Sequence, residues 1–365
     1  MEVINSGQSI QTSAPGKLFL LGEYAVLSGA PALLTAIDRR VLVTIRRPAS
    51  RDETQRWVLH TPGLSTAILE LGPMGLLPDD LDAQQLSDLR VFDAVRSVVL
   101  DRAGSLPAAL DETIDSTSVL GDTINVTAAG TPGGHKLGLG SSAAVAVALT
   151  AALALAAGLP TDRTTVFELA LAAHRISQGG AGSGGDVAAS VFGGLIEYTR
   201  DEIPVEVPWP RLLRVMALVT GTGSSTTSMV AKVAAYERED EAQYLADIGR
   251  LAALAAQAKD TIAVPHGFLR LVSDYFAALT ELDENAHAGI VTDYHLRLNS
   301  LVAGLGGVFK TSGAGGGDVG LVFSIGDESK DTITAALADA GAEVVPLEFC
   351  TAGLEIRQMK DGTAS

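Results

Sequence analysis

Polar and hydrophobic residues alternate in short stretches over the first third of the chain. Val41, Val43 and Ile45, for example, share one face of an extended segment, which is the period-two pattern of a half-buried strand. The turn-forming triplet Ala-Pro-Gly at 14–16 predicts a turn between the first two strands. Together these patterns predict strands over residues 9–13, 17–21, 32–37, 40–45, 57–60, 67–71 and 123–127.

The period changes to that of a helix further along the chain. Leu89, Phe92, Val95 and Val99 recur at three- and four-residue intervals, so residues 88–103 are predicted to form an amphipathic helix. The second half contains more helical segments and fewer strands. We predict helices over residues 143–159, 164–176, 227–236, 241–259, 266–284, 293–303 and 331–340, and strands over residues 213–220, 309–311, 320–323 and 343–349.

Strands that concentrate early and helices that dominate later favour an α+β protein. The length of 365 residues indicates two domains, or two halves that share one cleft. Pro204, Pro208 and Pro210 cluster between two predicted elements. We therefore expect one domain over residues 1–205 and a second over residues 206–365.

The charge balance narrows the kinds of partner. The 26 Lys and Arg residues against 43 Asp and Glu give a formal net charge of -17. This argues against nucleic acid and against an anionic membrane, because those surfaces need a surplus of cations. It does not argue against small anions, since a few cations in a cleft can hold a phosphate.

The cysteine content and the apolar segments bear on the location of the protein. Cys350 is the only cysteine, so no intrachain disulfide can form and a reducing cytosol is the expected location. The N-terminus lacks a signal-peptide pattern. The apolar segment 143–159 is shorter than the roughly 20 residues of a membrane span, so we interpret it as a buried helix. We expect a cytoplasmic protein without membrane contact.

A glycine-rich segment ends at Ser141 and Ser142, where the Ala-rich helix begins. Gly138 and Gly140 allow positive φ and close approach of backbone N–H groups to a ligand, and a helix N-terminus attracts anions. A glycine turn before an N-capped helix explains the pattern equally well. The segment does not fit the Gly-x-x-x-x-Gly-Lys-Ser/Thr pattern of a P-loop.

Three other segments carry residues suited to an anion site. Lys17 enters an apolar strand, where its ammonium needs an anion unless it reaches solvent along a sheet edge. Asp186 follows a glycine-rich stretch, and it is either a functional carboxylate or a helix N-cap. The loop Lys-Thr-Ser-Gly-Ala-Gly-Gly-Gly-Asp over 310–318 either covers a phosphate or only connects two elements.

Three sequence motifs of this chain, taken from the N-terminus onward, resemble the three signature motifs of the GHMP kinases. This family contains the relatives of galactokinase, homoserine kinase, mevalonate kinase and phosphomevalonate kinase. The first is Pro-Gly-Lys with Gly-Glu-Tyr-Ala-Val-Leu over 15–27, and the second is Gly-Leu-Gly-Ser-Ser-Ala-Ala over 138–144. The third is Ser-Gly-Ala-Gly-Gly-Gly-Asp over 312–318. One such motif can arise by chance, whereas three in this order and spacing are specific.

Within the family, the details are most similar to the phosphomevalonate kinase branch. Gly-Glu-Tyr over 22–24 stands where mevalonate kinases typically carry Gly-Glu-His. Ala-His-Arg over 173–175, Gln-Gly-Gly over 178–180 and the run over 182–188 are also similar to that branch. One departure is that His174 and Arg175 stand near the place where mevalonate kinases carry a magnesium-binding Glu. The second metal ligand is therefore left unassigned.

The resemblance implies a two-domain fold with an N-terminal mixed α/β domain, a C-terminal ferredoxin-like α+β domain and an active site in the cleft between them. It implies ATP as co-substrate and Mg²⁺ held by Ser142. It assigns Lys17 and Asp186 to the reacting centre. The residues that it places near the ATP phosphates are Lys136, Gly138, Leu139, Gly140, Ser141, Ser142, Gly313, Ala314, Gly315 and Gly316.

The acceptor implied by the resemblance is 5-phosphomevalonate. Its phosphate has a second pKa of about 6, so an attacking anion exists near neutral pH. The predicted acceptor-binding residues are Lys17, Tyr24, His174, Arg175, Ser183 and Asp186. Of these, His174 and Arg175 either bind the acceptor phosphate or are helix-terminal cations that face solvent.

Two other functions remain open on the sequence alone. The chain can be a mevalonate kinase, or a kinase of another mevalonate phosphate, because pocket shape sets the acceptor. It can also be a GHMP-fold regulator that binds ligand without catalysis, although retention of Lys17, Ser142 and Asp186 counts against that. A monomer or a homodimer is expected.

Overall fold

The computed structural model describes residues 9–47, 56–62, 68–116, 138–180, 182–221, 226–317 and 319–359. The strands are β1 (Ser9–Leu21), β2 (Ala32–Arg46), β3 (Trp57–His60), β4 (Ile68–Leu71), β5 (Leu110–Asp115), β6 (Leu195–Tyr198), β7 (Val205–Val207), β8 (Leu213–Val219), β9 (Val308–Ser312), β10 (Val319–Ile325), β11 (Glu343–Val345) and β12 (Glu355–Met359). The helices are α1 (Ala83–Ala103), α2 (Ser141–Ala156), α3 (Arg163–Ser177), α4 (Gly185–Phe192), α5 (Thr226–Glu239), α6 (Glu241–Ala255), α7 (Ala258–Thr261), α8 (Pro265–Ala286), α9 (Asp293–Ala303) and α10 (Gly326–Asp339), with 3₁₀ turns at Ala25–Ser28 and Pro73–Gly75.

The first sheet contains the early strands and also the last one. Its order is β12-β1-β2-β5-β3-β4, and β6 pairs with both β2 and β7. Among the described strands of this sheet, β3 and β5 run parallel and the other pairs are antiparallel. Helices α1, α2, α3 and α4 pack together, and α2 and α4 lie on β1 and β2.

The second sheet has the order β11-β8-β10-β9, with all neighbours antiparallel. Along the chain these strands occur as β8, then helices that end with α9, then β9, β10, α10 and β11. This is the β-α-β-β-α-β sequence of a ferredoxin-like unit. The strand β12 then returns to the first sheet, where Ser9 pairs with Met359 and Ser13 with Glu355.

The predicted turn at 14–16 is wrong, because residues 9–21 form the single strand β1. The pairing of β1 with β2 shifts register between Pro15 and Gly16 instead. Such an irregularity accommodates a proline, which has no N–H to donate to the ladder. Similarly, the two strands predicted over 32–37 and 40–45 are the single strand β2.

Most predicted helices are confirmed, and α9 has the predicted bounds. Helix α1 begins earlier than predicted because Asp82 and Gln85 form a capping box at its start. The pattern did not predict β5, β6, β7 or β12. The strand predicted over 123–127 lies outside the described residues.

Helix α2 forms the centre of the larger core. Nearly all its side chains are buried, and most of them are small. Small side chains allow the helix to lie close to the sheet, where the Thr12 hydroxyl donates to Ala148 O at 2.7 Å. The predicted buried helix is therefore confirmed. Across the described part of the chain, no helix has both the length and the apolar character needed to cross a membrane.

Candidate active site

Lys17 of β1 interlocks with the glycine loop that precedes α2. Its backbone N–H donates to Leu139 O at 2.8 Å, and its Nζ donates to Gly138 O at 3.2 Å. The residue is 7% exposed, so the ammonium lies at the margin of the core. Gly140 has φ 81°, and a Cβ at this position would lie 2.9 Å from Lys17 Cγ. Only glycine fits there, because any side chain would displace the lysine.

The start of α2 presents backbone N–H groups beside Lys17. Gly140 is the N-cap, and no side chain of the described residues caps the helix. The first N–H groups of the helix, which include those of Ser141 and Ser142, therefore remain available for an anion. The buried side chain of Leu139 anchors the loop to the core. The predicted segment 138–142 thus lies against Lys17, whereas Lys136 lies outside the described residues.

His174, near the end of α3, contacts Ser142. The ring Nε2 lies 3.1 Å from Ser142 Oγ and 3.0 Å from Gln178 Nε2. The histidine is 3% exposed, so it does not face solvent. Its contact with an acceptor phosphate stays a prediction.

Arg175 points to a different region from His174. One guanidinium nitrogen lies 2.6 Å from a carboxylate oxygen of Asp201 and 3.5 Å from Ser183 O. Ser183 O also accepts a hydrogen bond from the Tyr198 hydroxyl at 2.9 Å. Arg175 therefore ties the glycine-rich residues 182–185 to the turn at Asp201. The sequence did not indicate this partner, because Asp201 lies beyond the next helix and strand.

Asp186 lies in the first turn of α4, whose N-cap is Gly184. The carboxylate is therefore not the N-cap of this helix. A Cβ at the preceding residue, Gly185, would lie 3.3 Å from the Phe19 ring, and Lys17 Nζ lies 5.1 Å from the centroid of that ring. The start of α4 and the Lys17 ammonium thus share Phe19 as a neighbour, which brings an acidic and a basic residue to one region.

The third glycine-rich loop is held by residues of the first motif. The Tyr24 hydroxyl donates to Ala314 O at 2.6 Å, and Gly313 N donates to Glu23 Oε1 at 3.3 Å. On the other side of the loop, Gly316 N donates to Ile290 O at 2.9 Å. Gly315, with φ 87°, lies against the same Ile290. Asp318 lies outside the described residues.

A buried ion pair joins the two halves of the chain beneath this loop. Lys310 Nζ lies 2.5 Å from Glu23 Oε1, and the two residues are 0% and 3% exposed. Lys310 also donates to Thr311 O. Burial lowers the pKa of Lys310, and the Glu23 carboxylate opposes that effect. Glu23 belongs to the first motif and Lys310 to the 310–318 segment, but neither pattern indicated that the two side chains meet.

The backbone is strained where the first motif turns. Tyr24 has φ 62°, and Ala25 N donates to Glu23 O at 2.7 Å across a three-residue turn. A non-glycine residue in this region costs about 1–3 kcal/mol, and such strain concentrates at functional sites. Burial raises the pKa of Tyr24, so its hydroxyl stays protonated and donates to the loop.

Known proteins resemble this chain over most of its length. The family model for the GHMP kinases N terminal domain matches residues 116–194. Phosphomevalonate kinase of Streptomyces sp. (strain CL190) is 30% identical, and the alignment covers 96% of this chain and 99% of that protein. Mevalonate kinase of Pyrococcus furiosus is 27% identical, with 95% of this chain and 98% of that protein covered. A solved structure of Streptococcus pneumoniae phosphomevalonate kinase in complex with phosphomevalonate and AMPPNP has a TM-score of 0.69 at 21% identity, and covers 93% of this chain and 99% of that one.

These similarities define the class of protein. The chain belongs to the GHMP kinase family, whose members named above are kinases, and the predicted α+β fold class is confirmed. The predicted phosphomevalonate kinase resemblance is also confirmed as a resemblance.

Proposed function

We propose that this protein transfers the γ-phosphate of ATP to the phosphate of 5-phosphomevalonate, which gives mevalonate 5-diphosphate. The observation that carries the proposal is the contact of Lys17 with Gly138 and Leu139. Beside it lies the start of α2, which no side chain of the described residues caps. A buried ammonium and unpaired N–H groups suit the crowded negative charge of a phosphoryl group in transfer. The named relative at 30% identity supports the choice of acceptor.

The proposed roles follow from where the side chains lie. The N–H groups at the start of α2 bind the ATP phosphates, and Lys17 neutralises charge that develops between the two reacting phosphates. Asp186, which follows Gly185 in the first turn of α4, orients Lys17 or the acceptor. A phosphate acceptor needs no general base, since it is already an anion near neutral pH. The residues 313–316 close over the nucleotide from the other half of the chain.

A magnesium ion fits this set of donors. Magnesium takes oxygen ligands, usually one or two from the protein, and completes its shell with substrate phosphates and water. Ser142 offers a hydroxyl oxygen at the start of α2, and Asp186 offers a carboxylate in the first turn of α4, a helix that packs against α2. Within the described ranges, no group of three or more His, Cys, Asp or Glu side chains could hold a metal. The nucleotide phosphates would therefore supply much of the coordination, and the bound ion would offset their charge.

A second candidate function is a mevalonate kinase. It is favoured by the placement of His174 and Arg175, the two residues predicted to bind the acceptor phosphate. His174 is buried against Ser142, and Arg175 is paired with Asp201. Both side chains already have partners, so neither is freely available to bind an acceptor phosphate. This suits an acceptor that reacts through an uncharged hydroxyl group better than one that reacts through a phosphate. In that case Asp186 would act as the base that takes the proton of the attacking alcohol.

The test is ADP release with magnesium and ATP, comparing mevalonate, 5-phosphomevalonate, mevalonate 3-phosphate and homoserine at matched concentration. The proposal requires a strong preference for 5-phosphomevalonate, and preference for mevalonate would establish the second candidate. The variant Lys17→Met, which keeps the length of the side chain and removes its charge, should abolish most turnover with the preferred acceptor. Failure of every acceptor to stimulate ADP release would overturn both.

A further inference from the structure

His174 is a polar ring in the protein core with no role assigned by the proposed phosphoryl transfer. A buried polar side chain needs hydrogen-bond partners to offset the loss of water. The partners of Nε2 are Ser142 Oγ at 3.1 Å and Gln178 Nε2 at 3.0 Å. One of these belongs to the glycine loop and helix start, and the other to the end of α3.

The chemistry of the partners sets the direction of the hydrogen bonds. The amide nitrogen of Gln178 can only donate, so His174 Nε2 is the acceptor and carries no proton. The Ser142 hydroxyl then also donates to this nitrogen, so the two donors share its single lone pair. The lone pairs of Ser142 Oγ are thereby directed away from the ring and remain free to bind a cation.

The side chain of Gln178 lies close to the backbone of Gly182. Gly182 has φ 104°, and a Cβ at this position would lie 2.7 Å from Gln178 Oε1. The glycine allows the amide oxygen to lie against the backbone, which leaves the amide nitrogen directed at His174. A chain of contacts therefore runs from Gly182 through Gln178 and His174 to Ser142.

We propose that His174 is a positioning residue, which fixes the Ser142 hydroxyl so that its oxygen receives the magnesium ion of the nucleotide complex. The inference rests on the proposed function. A serine hydroxyl otherwise rotates freely about its C–O bond, and a hydroxyl is a weaker ligand than a carboxylate. Magnesium prefers oxygen to imidazole nitrogen, so His174 supports the ligand and does not replace it.

The experiment measures ADP affinity by titration calorimetry with and without Mg²⁺, in the wild type, Ser142→Ala, His174→Leu and the double variant. Loss of a residue that orients a metal ligand typically costs about 10- to 100-fold in affinity or activity. In His174→Leu, we expect the gain in ADP affinity that Mg²⁺ produces to fall by about 10- to 100-fold. The ADP affinity without Mg²⁺ should equal that of the wild type. The double variant should bind as Ser142→Ala does, because the histidine acts through the serine.

A purely structural histidine would give a different result. His174→Leu would then weaken ADP binding equally with and without Mg²⁺, or its effect would add to that of Ser142→Ala, and either result overturns the proposal. His174→Gln offers an amide oxygen in place of Nε2 and should restore most of the magnesium response. Ile176→Ala, at an exposed position of the same helix, is the matched control and should bind as the wild type does.

If His174→Leu does not fold, Gln178→Leu tests the same proposal. Gln178 is exposed, so its substitution leaves the core packing unchanged. Its effect should be a weaker magnesium response in the wild-type background and none in the Ser142→Ala background. No effect in either background overturns the proposal. These titrations contain no acceptor, so a wrong acceptor assignment would leave them unchanged.

Discussion

Glu112 is a buried carboxyl group away from the candidate site. It lies in β5, between Ile45 of β2 and Leu59 of β3, and is 2% exposed. Neither carboxyl oxygen has a hydrogen-bond partner among the residues that the structure describes. Burial raises the pKa of Glu112 from 4.5 to about 8. A charge without a partner is costly in the core, so the folded protein holds this group protonated.

The stability cost of this arrangement depends on pH. Below pH 4.5 the group is protonated in both the folded and the unfolded chain, and it costs nothing by ionisation. As the pH rises, the unfolded chain loses the proton while the folded chain keeps it, so the free energy of unfolding falls until about pH 8. At about 1.4 kcal/mol for each tenfold change in proton affinity, the loss at pH 7 is about 3 kcal/mol.

Glu112→Gln keeps the shape of the neutral acid and cannot ionise. We expect it to exceed the wild-type free energy of unfolding by less than about 1 kcal/mol at pH 5 and by about 3 kcal/mol at pH 7. Urea unfolding at pH 5, 6, 7 and 8 measures the difference. Asp111→Asn, at an exposed position of the same strand, is the control and should show no such trend. A Glu112→Gln difference that stays constant from pH 5 to pH 8 would refute the reasoning.

Three further predictions concern packing and the loop. Lys310→Met should lower the free energy of unfolding by about 3–5 kcal/mol, because it leaves the Glu23 charge buried and unpaired, and adding Glu23→Gln should recover part of it in urea unfolding. Equal losses in the single and double variants would contradict this. Gly140→Ala should raise the KM for ATP by about tenfold or more, since its Cβ meets Lys17, and initial rates at varied ATP would show it; an unchanged KM would mean that the loop adapts. Arg40→Ala should lower the free energy of unfolding by about 2–4 kcal/mol in scanning calorimetry, because it removes charged hydrogen bonds to carbonyls of the C-terminal segment; a loss below about 0.5 kcal/mol would show that water replaces them.

The sequence predicted the elements whose signals are local. Helix α9 has the predicted bounds because Thr292 caps its start and the helical period continues to Ala303. The buried helix at 143–159 was predictable from its small apolar side chains. By contrast, β12 has no strong period, and it is a strand because β1 offers an unpaired edge to it. A pairing between two distant segments leaves no mark on the period of either one.

The same distinction holds for the candidate site. The glycine spacing predicted that a helix would follow Gly138 and Gly140, and the family resemblance assigned Lys17 to the same site, where the two meet. The partners of the buried charges could not be predicted in this way. Asp201 meets Arg175, and Glu23 meets Lys310, only because the fold brings distant segments together. Periodicity indicates which face of a helix or strand is buried. It does not indicate which side chain from another element packs against that face.

The return of β12 to β1 has a consequence for how the protein is made. Residues 9–13 are synthesised early, but their partner strand emerges about 340 residues later, which takes about 20–70 s at the usual rates of translation. Until then one edge of the first sheet is open on the ribosome, and an open edge attracts other strands. Chaperone binding to the nascent chain, or a slow final step in refolding, is the expected sign of this late closure.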